Sequence, residues 1–153
     1  MEQNKPKPKP RTICYKTLMQ KTEKLKRVYD KIPKMNCQRK CQEACGPIAM
    51  SQLEYKILCQ RSGKKKLVTD DSMTCPLLNN GACTAYHDRP LICRLWGVVD
   101  NPKMKCPHGC VPERWLSDQE AGRLMDEVRK ISGGELQIVT PEGMLDAVPP
   151  TNP

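Results

Sequence analysis

The sequence predicts a small, mostly α-helical domain with irregular cysteine-rich loops and at most a short hairpin, held by more than its apolar core. Three observations carry this. The 153 residues fit one compact domain with tails. Only 38% of them are hydrophobic and 4% aromatic, with no Phe, so burial alone offsets the entropy of ordering poorly. Ten cysteines offer the missing staple, while 14 Pro and 9 Gly keep helices and strands short.

Residues 1–16 form a basic arm, predicted to be flexible. Its alternating Lys and Pro favour extended polyproline II, and like charges stretch it further. Residues 17–36 hold an amphipathic basic helix and a linker. Leu18, Leu25, Tyr29 and Ile32 share one face over 17–32, and Pro33 follows. Such a helix packs on its own domain or on a partner, and both remain open at this point.

Residues 37–134 are the expected cysteine-cluster domain. Cys37, Cys41 and Cys45 lead into Gly46-Pro47, and a capping box, Ser51-x-x-Glu54, then opens a helix to about Arg61. Cys75 and Cys83 flank a turn in which Asn79-Asn80-Gly81 supplies positive-φ residues. Pro90 starts a short helix carrying Cys93 and Trp96, and Cys106-Pro-His-Gly-Cys110 is a second tight turn. A further capping box, Ser117-x-x-Glu120, opens a helix striped by Ala121, Leu124, Val128 and Ile131 and stopped by Gly133-Gly134. Residues 135–153 read as a Pro-containing C-terminal tail.

The N-terminus lacks the apolar stretch of a secretory signal, and no apolar run approaches the roughly 18 residues needed to span a membrane. The expectation is a cytoplasmic protein with no membrane partner. In a reducing compartment clustered cysteines serve as metal ligands more often than as disulfides, so the domain is read as metal-stabilised. A straight helix through Cys37, Cys41 and Cys45 would part the outer pair by roughly 12 Å. Tetrahedral zinc needs sulfurs about 4 Å apart. Either the helix breaks inside this run or the three do not share one zinc. The run departs from the Cys-x3-Cys-x2-Cys motif of radical-SAM enzymes, and the chain is too short for their barrel.

The stretch from Cys75-Pro-Leu-Leu through Cys83-Thr-Ala-Tyr86 to Arg89-Pro-Leu-Ile-Cys93-Arg94 resembles the signature of the YkgJ-type cysteine-cluster family. Its members are described as zinc- or iron-chelating and sometimes as iron–sulfur oxidoreductases. The resemblance covers about residues 37–115. It departs upstream, where Cys-x3-Cys-x3-Cys-Gly stands for the family's Cys-x2-Cys-x2-Cys-Cys. It implies Cys37, Cys41, Cys45, Cys75, Cys83 and Cys93 as ligands; Cys106 and Cys110 complete the set on spacing, since a Cys-x3-Cys turn with Pro and Gly presents two sulfurs from loop backbone. The cofactor is a zinc ion or an iron–sulfur cluster, and eight thiolates suffice for two four-thiolate sites or for a cluster plus a zinc. Cys59, inside a helix, and Cys14, in the arm, are read as inert. His87 and His108 stand beside ligand cysteines as surface residues or substitute zinc ligands. Arg89 and Arg94 flank Cys93 and either offset thiolate charge or pair with acids such as Asp88. Tyr86 and Trp96 are expected to pack against the metal knot.

Residues 1–40 carry 13 Lys/Arg against three acids, whereas the remainder carries 13 against 14. Basic character is therefore local. It suits an arm docking on nucleic acid or another acidic surface, although few aromatics are interleaved for base stacking. Three functional readings follow: a metal-binding module in which zinc or a cluster is structural or sensing, an iron–sulfur oxidoreductase-type enzyme, or an accessory protein docking through residues 1–40. No catalytic acid/base pair, nucleophile–base constellation or nucleotide-binding glycine loop is readable.

Overall fold

A computed structural model of the chain describes the backbone of residues 15–146 and the side chains of 15–143. The arm up to Cys14 and residues 147–153 lie outside the described residues. Four helices, α1 (Tyr15–Tyr29), α2 (Gln52–Ser62), α3 (Leu91–Leu95) and α4 (Asp118–Ser132), dominate the described chain. Between and after them come β1 (Ala49–Met50), β2 (Leu78–Asn79), β3 (Ala82–Cys83), β4 (Gln137–Thr140) and β5 (Gly143–Asp146). Short 3-10 turns occupy Gln42–Ala44, Tyr86–Asp88 and Pro102–Met104. The domain is mostly α-helical, with cysteine-bearing loops between the helices.

Both capping boxes form in full. Ser51 and Glu54 exchange side-chain and backbone hydrogen bonds at the start of α2, and Ser117 and Glu120 do so at the start of α4. Left-handed glycines, Gly63 and Gly133, end the two helices. Helix α1 packs along α4 and buries Leu25 and Val28 among Leu95, Leu116, Leu124 and Val128. The basic helix is therefore part of the domain's core, not a separate segment ahead of residue 37. It ends at Tyr29, and Asp30–Ile32 turn the chain before Pro33.

A second, smaller core lies on the other side of α2, where Met50, Leu58, Leu67, Leu77 and Val139 meet Cys75. Between the two sits Glu54, 2% exposed. Its carboxylate accepts hydrogen bonds from the Tyr29 hydroxyl at 2.8 Å, the Leu91 N–H at 2.7 Å, and the Ser51 N–H and hydroxyl at 2.8 and 2.9 Å. A buried carboxylate without a cation is costly unless donors surround it. Here the donors come from α1, the start of α2 and the start of α3, so one side chain ties three helices together.

The expectation of at most a short hairpin holds for β2–β3, where Asn80 (φ 49°) and Gly81 (φ 76°) make the two-residue turn between Asn79 and Ala82. It fails at the C-terminal end. Residues 135–146 are not a tail: β4 and β5 form an antiparallel hairpin, and β4 also pairs with β1 in a three-stranded sheet. Gln137-Ile-Val-Thr140 is a β-branched run, and Pro141-Glu142 supplies the turn between β4 and β5. Val139, 2% exposed, anchors this sheet in the second core.

Candidate functional site

Loops bring the cysteines together. No helix runs through Cys37, Cys41 and Cys45: Arg39 has φ 56°, and the 3-10 turn Gln42–Ala44 bends the chain between the last two. This is one of the two outcomes that the thiol spacing allows. The Cys75 N–H donates to the Cys45 carbonyl at 3.0 Å, which lays the two segments side by side. Cys83 stands on β3 opposite Leu78, and α3 presents Cys93 from its middle. The loop carrying Cys106 and Cys110 is held against the first cysteine segment. There Met35 bridges Pro112, the Glu113 N–H donates to the Lys34 carbonyl at 2.9 Å, and the His108 ring lies 3.1 Å from the Lys40 carbonyl.

Seven of the eight sequence-predicted cysteines, Cys37, Cys41, Cys45, Cys75, Cys83, Cys93 and Cys106, line one cavity of about 230 Å³. Cys110 is buried beside Cys106 and does not line it. Cys59 lies on α2 against the second core, away from the cavity, and Cys14 lies outside the described residues. Neither histidine reaches the cavity. His87 is exposed, and His108 is occupied by the Lys40 carbonyl, with Glu43 3.9 Å away.

Electrostatics separates the seven. Burial first, then the Cys75, Cys83 and Cys45 thiolates, push the Cys93 thiol up to about 12, against the pull of Arg89. Burial and the Cys75, Cys83 and Cys41 thiolates push Cys45 up to about 11. Burial and Cys83 also raise Cys75. Cys45, Cys75 and Cys83 are thus close enough to Cys93 to oppose its ionisation. Cys41 is raised by burial and then by Cys37 and Cys106, so it stands beside those two as well as beside Cys45. Burial acts to raise Cys106 too, but N–H donors of His108 and Cys110 and the Cys110 thiol outweigh it, and its pKa falls. Without a cation the raised thiols of Cys41, Cys45, Cys75 and Cys93 stay protonated at neutral pH, and binding one would release protons.

The cavity wall also holds residues that spacing did not single out. Arg39 lies over the Tyr86 ring at 4.0 Å, and its N–H donates to the Cys37 sulfur at 3.3 Å. Tyr86 and Trp96 line the cavity as expected, and the Trp96 Nε1–H is buried without a partner. Arg89 and Arg94 do not pair with Asp88, which faces Arg61 at 3.6 Å. Gly97 (φ 84°) closes the wall where a Cβ would stand 2.9 Å from the Met35 Cε and 3.6 Å from the Cys106 Cβ. The signal for Arg39 was its place between Cys37 and Cys41.

Among the described residues, no three His, Cys, Asp or Glu side chains are gathered as the ligand group of a single metal ion. No helix among them is long and apolar enough to cross a membrane. The donor set is nonetheless all sulfur, gathered from five separate segments around one space. Set against protein-family models, the curated proteins and the solved structures, the chain matches none.

Proposed function

We propose that the chain is an iron–sulfur module in which Cys45, Cys75, Cys83 and Cys93 hold the cluster. Cys37, Cys41, Cys106 and Cys110 form a second thiolate group beside it. The observation that carries this reading is that seven cysteines from separate segments surround one cavity of about 230 Å³. Zinc, with bonds of about 2.3 Å, draws its four sulfurs to within about 4 Å of one another. A cluster of several irons and sulfides spreads the same four thiolates around a larger body, and soft thiolates are its usual ligands. The resemblance to YkgJ-type proteins implies these four among its six ligands. When bound, such a cluster offers a site for one electron, and its role in this module is structural or sensing.

Anaerobic purification or reconstitution tests the reading. The expected product is brown, absorbs near roughly 400 nm, and contains iron and acid-labile sulfide in equal amounts. Serine at any one of the four proposed ligands should remove most of that iron. Stoichiometric zinc with no iron would overturn the cluster but keep the thiolate site. Paired disulfides in freshly isolated protein would overturn both.

One observation favours an additional docking role. Lys16, Lys24, Lys26 and Arg27 are exposed on α1 and form no ion pair among the described residues. With the basic arm ahead of them, they suit a polyanion such as a nucleic-acid backbone. Duplex DNA binding that weakens steeply with salt, and is lost on deleting residues 1–12, is the expected result. Binding unchanged by that deletion rejects this role for the arm.

A further inference from the structure

Two guanidinium groups share one phenol ring at the edge of the cysteine cavity. The Arg39 Cζ lies 4.0 Å from the Tyr86 centroid and the Arg89 Cζ 3.8 Å. One ring face has no room for two guanidiniums at that distance, so they cover opposite faces. Two like charges are thereby fixed on either side of one ring, each about 4 Å from its centre. Among the described residues no carboxylate lies within ion-pairing distance of either.

The arrangement is deliberately braced. Arg89 donates from Nε to the Tyr86 carbonyl at 2.9 Å and from Nη1 to the Cys93 carbonyl at 3.4 Å. Arg94 holds that backbone in turn, donating to the Arg89 carbonyl at 2.7 Å and the His87 carbonyl at 2.6 Å while stacking on Tyr29. Arg39 reaches the ring from a left-handed backbone conformation, an uncommon one for a residue with a side chain. Arg39, Tyr86 and Arg89 all line the cavity with the seven cysteines. Stacking on an aromatic face stabilises a cation, but it does not neutralise it. Thiolates bound to a cation would bring negative charge to the cavity that these two guanidiniums line.

We propose that Arg39 and Arg89, clamped on the two faces of Tyr86, are the fixed counter-charge of the thiolate centre and set its reduction potential. This rests on the cluster reading above. Potentials of such centres follow net charge and nearby donors. Adding an electron makes the centre more negative, so a fixed cation favours the reduced form and raises the potential. Arg89 is half-buried and Arg39 exposed, so solvent screens Arg39 more.

The test is a mediated redox titration of the reconstituted full-length protein, read at its visible absorbance, with iron and sulfide measured on each sample. Arg89→Gln is expected to move the midpoint to a more negative value, Arg39→Gln to move it less, and the double variant to move it furthest. Arg89→Lys, which keeps the charge, should recover part of the shift. Arg114→Gln, whose arginine pairs with Glu120 at 2.9 Å and does not line the cavity, should leave the midpoint in place. Midpoints unchanged in both glutamine variants with iron retained would overturn the proposal, as would a lysine variant shifted as far as glutamine. If the glutamine variants fail to hold iron, retention in Arg39→Lys and Arg89→Lys supports the charge requirement, and loss in those as well overturns it. A wild-type protein that takes up no iron would instead sink the cluster reading before any variant is compared.

Discussion

The helical half of the molecule and its cysteine half are built on opposite terms. Around α1, α3 and α4, Leu25, Val28, Leu95, Leu124 and Val128 close on one another with at most 6% of any side chain exposed. Around the cysteine cavity, seven polarisable side chains carried mainly by loops face a space of about 230 Å³. The first region is complete as a packed object. The second is a wall whose groups repel one another once ionised. The comparison teaches that the fold does not depend on the thiols everywhere, even in a chain so poor in aromatic residues.

The largest effect expected from that contrast is on the helical side. Leu95 is 1% exposed and sits at the meeting of the helices. Leu95→Ala should cost about 2–5 kcal/mol, as truncation of a fully buried leucine does. Chemical denaturation of metal-free and loaded protein should show a similar loss in both. A loss confined to one form would mean that the two halves are not separable.

Next in size is Glu54, the carboxylate that fastens α1, α2 and α3. Glu54→Gln puts an amide where four donors converge, so an N–H is set against at least one of them. The expected cost is about 1–3 kcal/mol. Because the Leu91 N–H is one of those donors, the variant should also loosen the placement of Cys93 two residues on. Faster amide exchange over residues 91–95 than in wild type would report it.

This division explains which parts of the molecule were legible from the sequence. Helices with a capping residue, an apolar stripe and a terminal glycine, such as α4, are written in local chemistry and are found where that chemistry puts them. The Asn80-Gly81 hairpin is legible for the same reason. The β4–β5 hairpin was not, because Val139 finds its burial against Met50 and Leu58, far away in the chain, while Pro141 reads locally as a break. The cysteines as a group were legible from number and type. Their grouping was not, since Cys45 and Cys93 meet only through tertiary contacts. Arg39 likewise acquires its place beside Tyr86 only when two loops fold together.

A smaller effect belongs to the cysteine half and has a definite sign. The Cys93 thiol is raised to about 12 and that of Cys45 to about 11, against a usual value of 9.0. Groups whose pKa is higher in the folded state add stability that is fully present below pH 9 and lost as pH climbs through 11 and 12. Metal-free protein should therefore lose melting temperature over that window, and Cys93→Ser should flatten the slope. An unchanged slope in that variant would show that Cys93 ionises as freely in the folded chain as in the unfolded one.

The smallest expected change in stability is the most discriminating for function. Cys59 and Cys83 are both partly buried, and both contact the second core. Serine at either position removes one sulfur and leaves a hydroxyl of similar shape, so metal-free stability should fall by no more than about 1 kcal/mol in both. Packing treats the two residues alike. Only Cys83 lines the cavity with Cys45, Cys75 and Cys93. Iron bound after reconstitution should therefore drop sharply in Cys83→Ser and stay at the wild-type level in Cys59→Ser. Equal retention in the two variants would mean that the shared cavity is a feature of packing alone, because position around that space is the one property that separates these thiols.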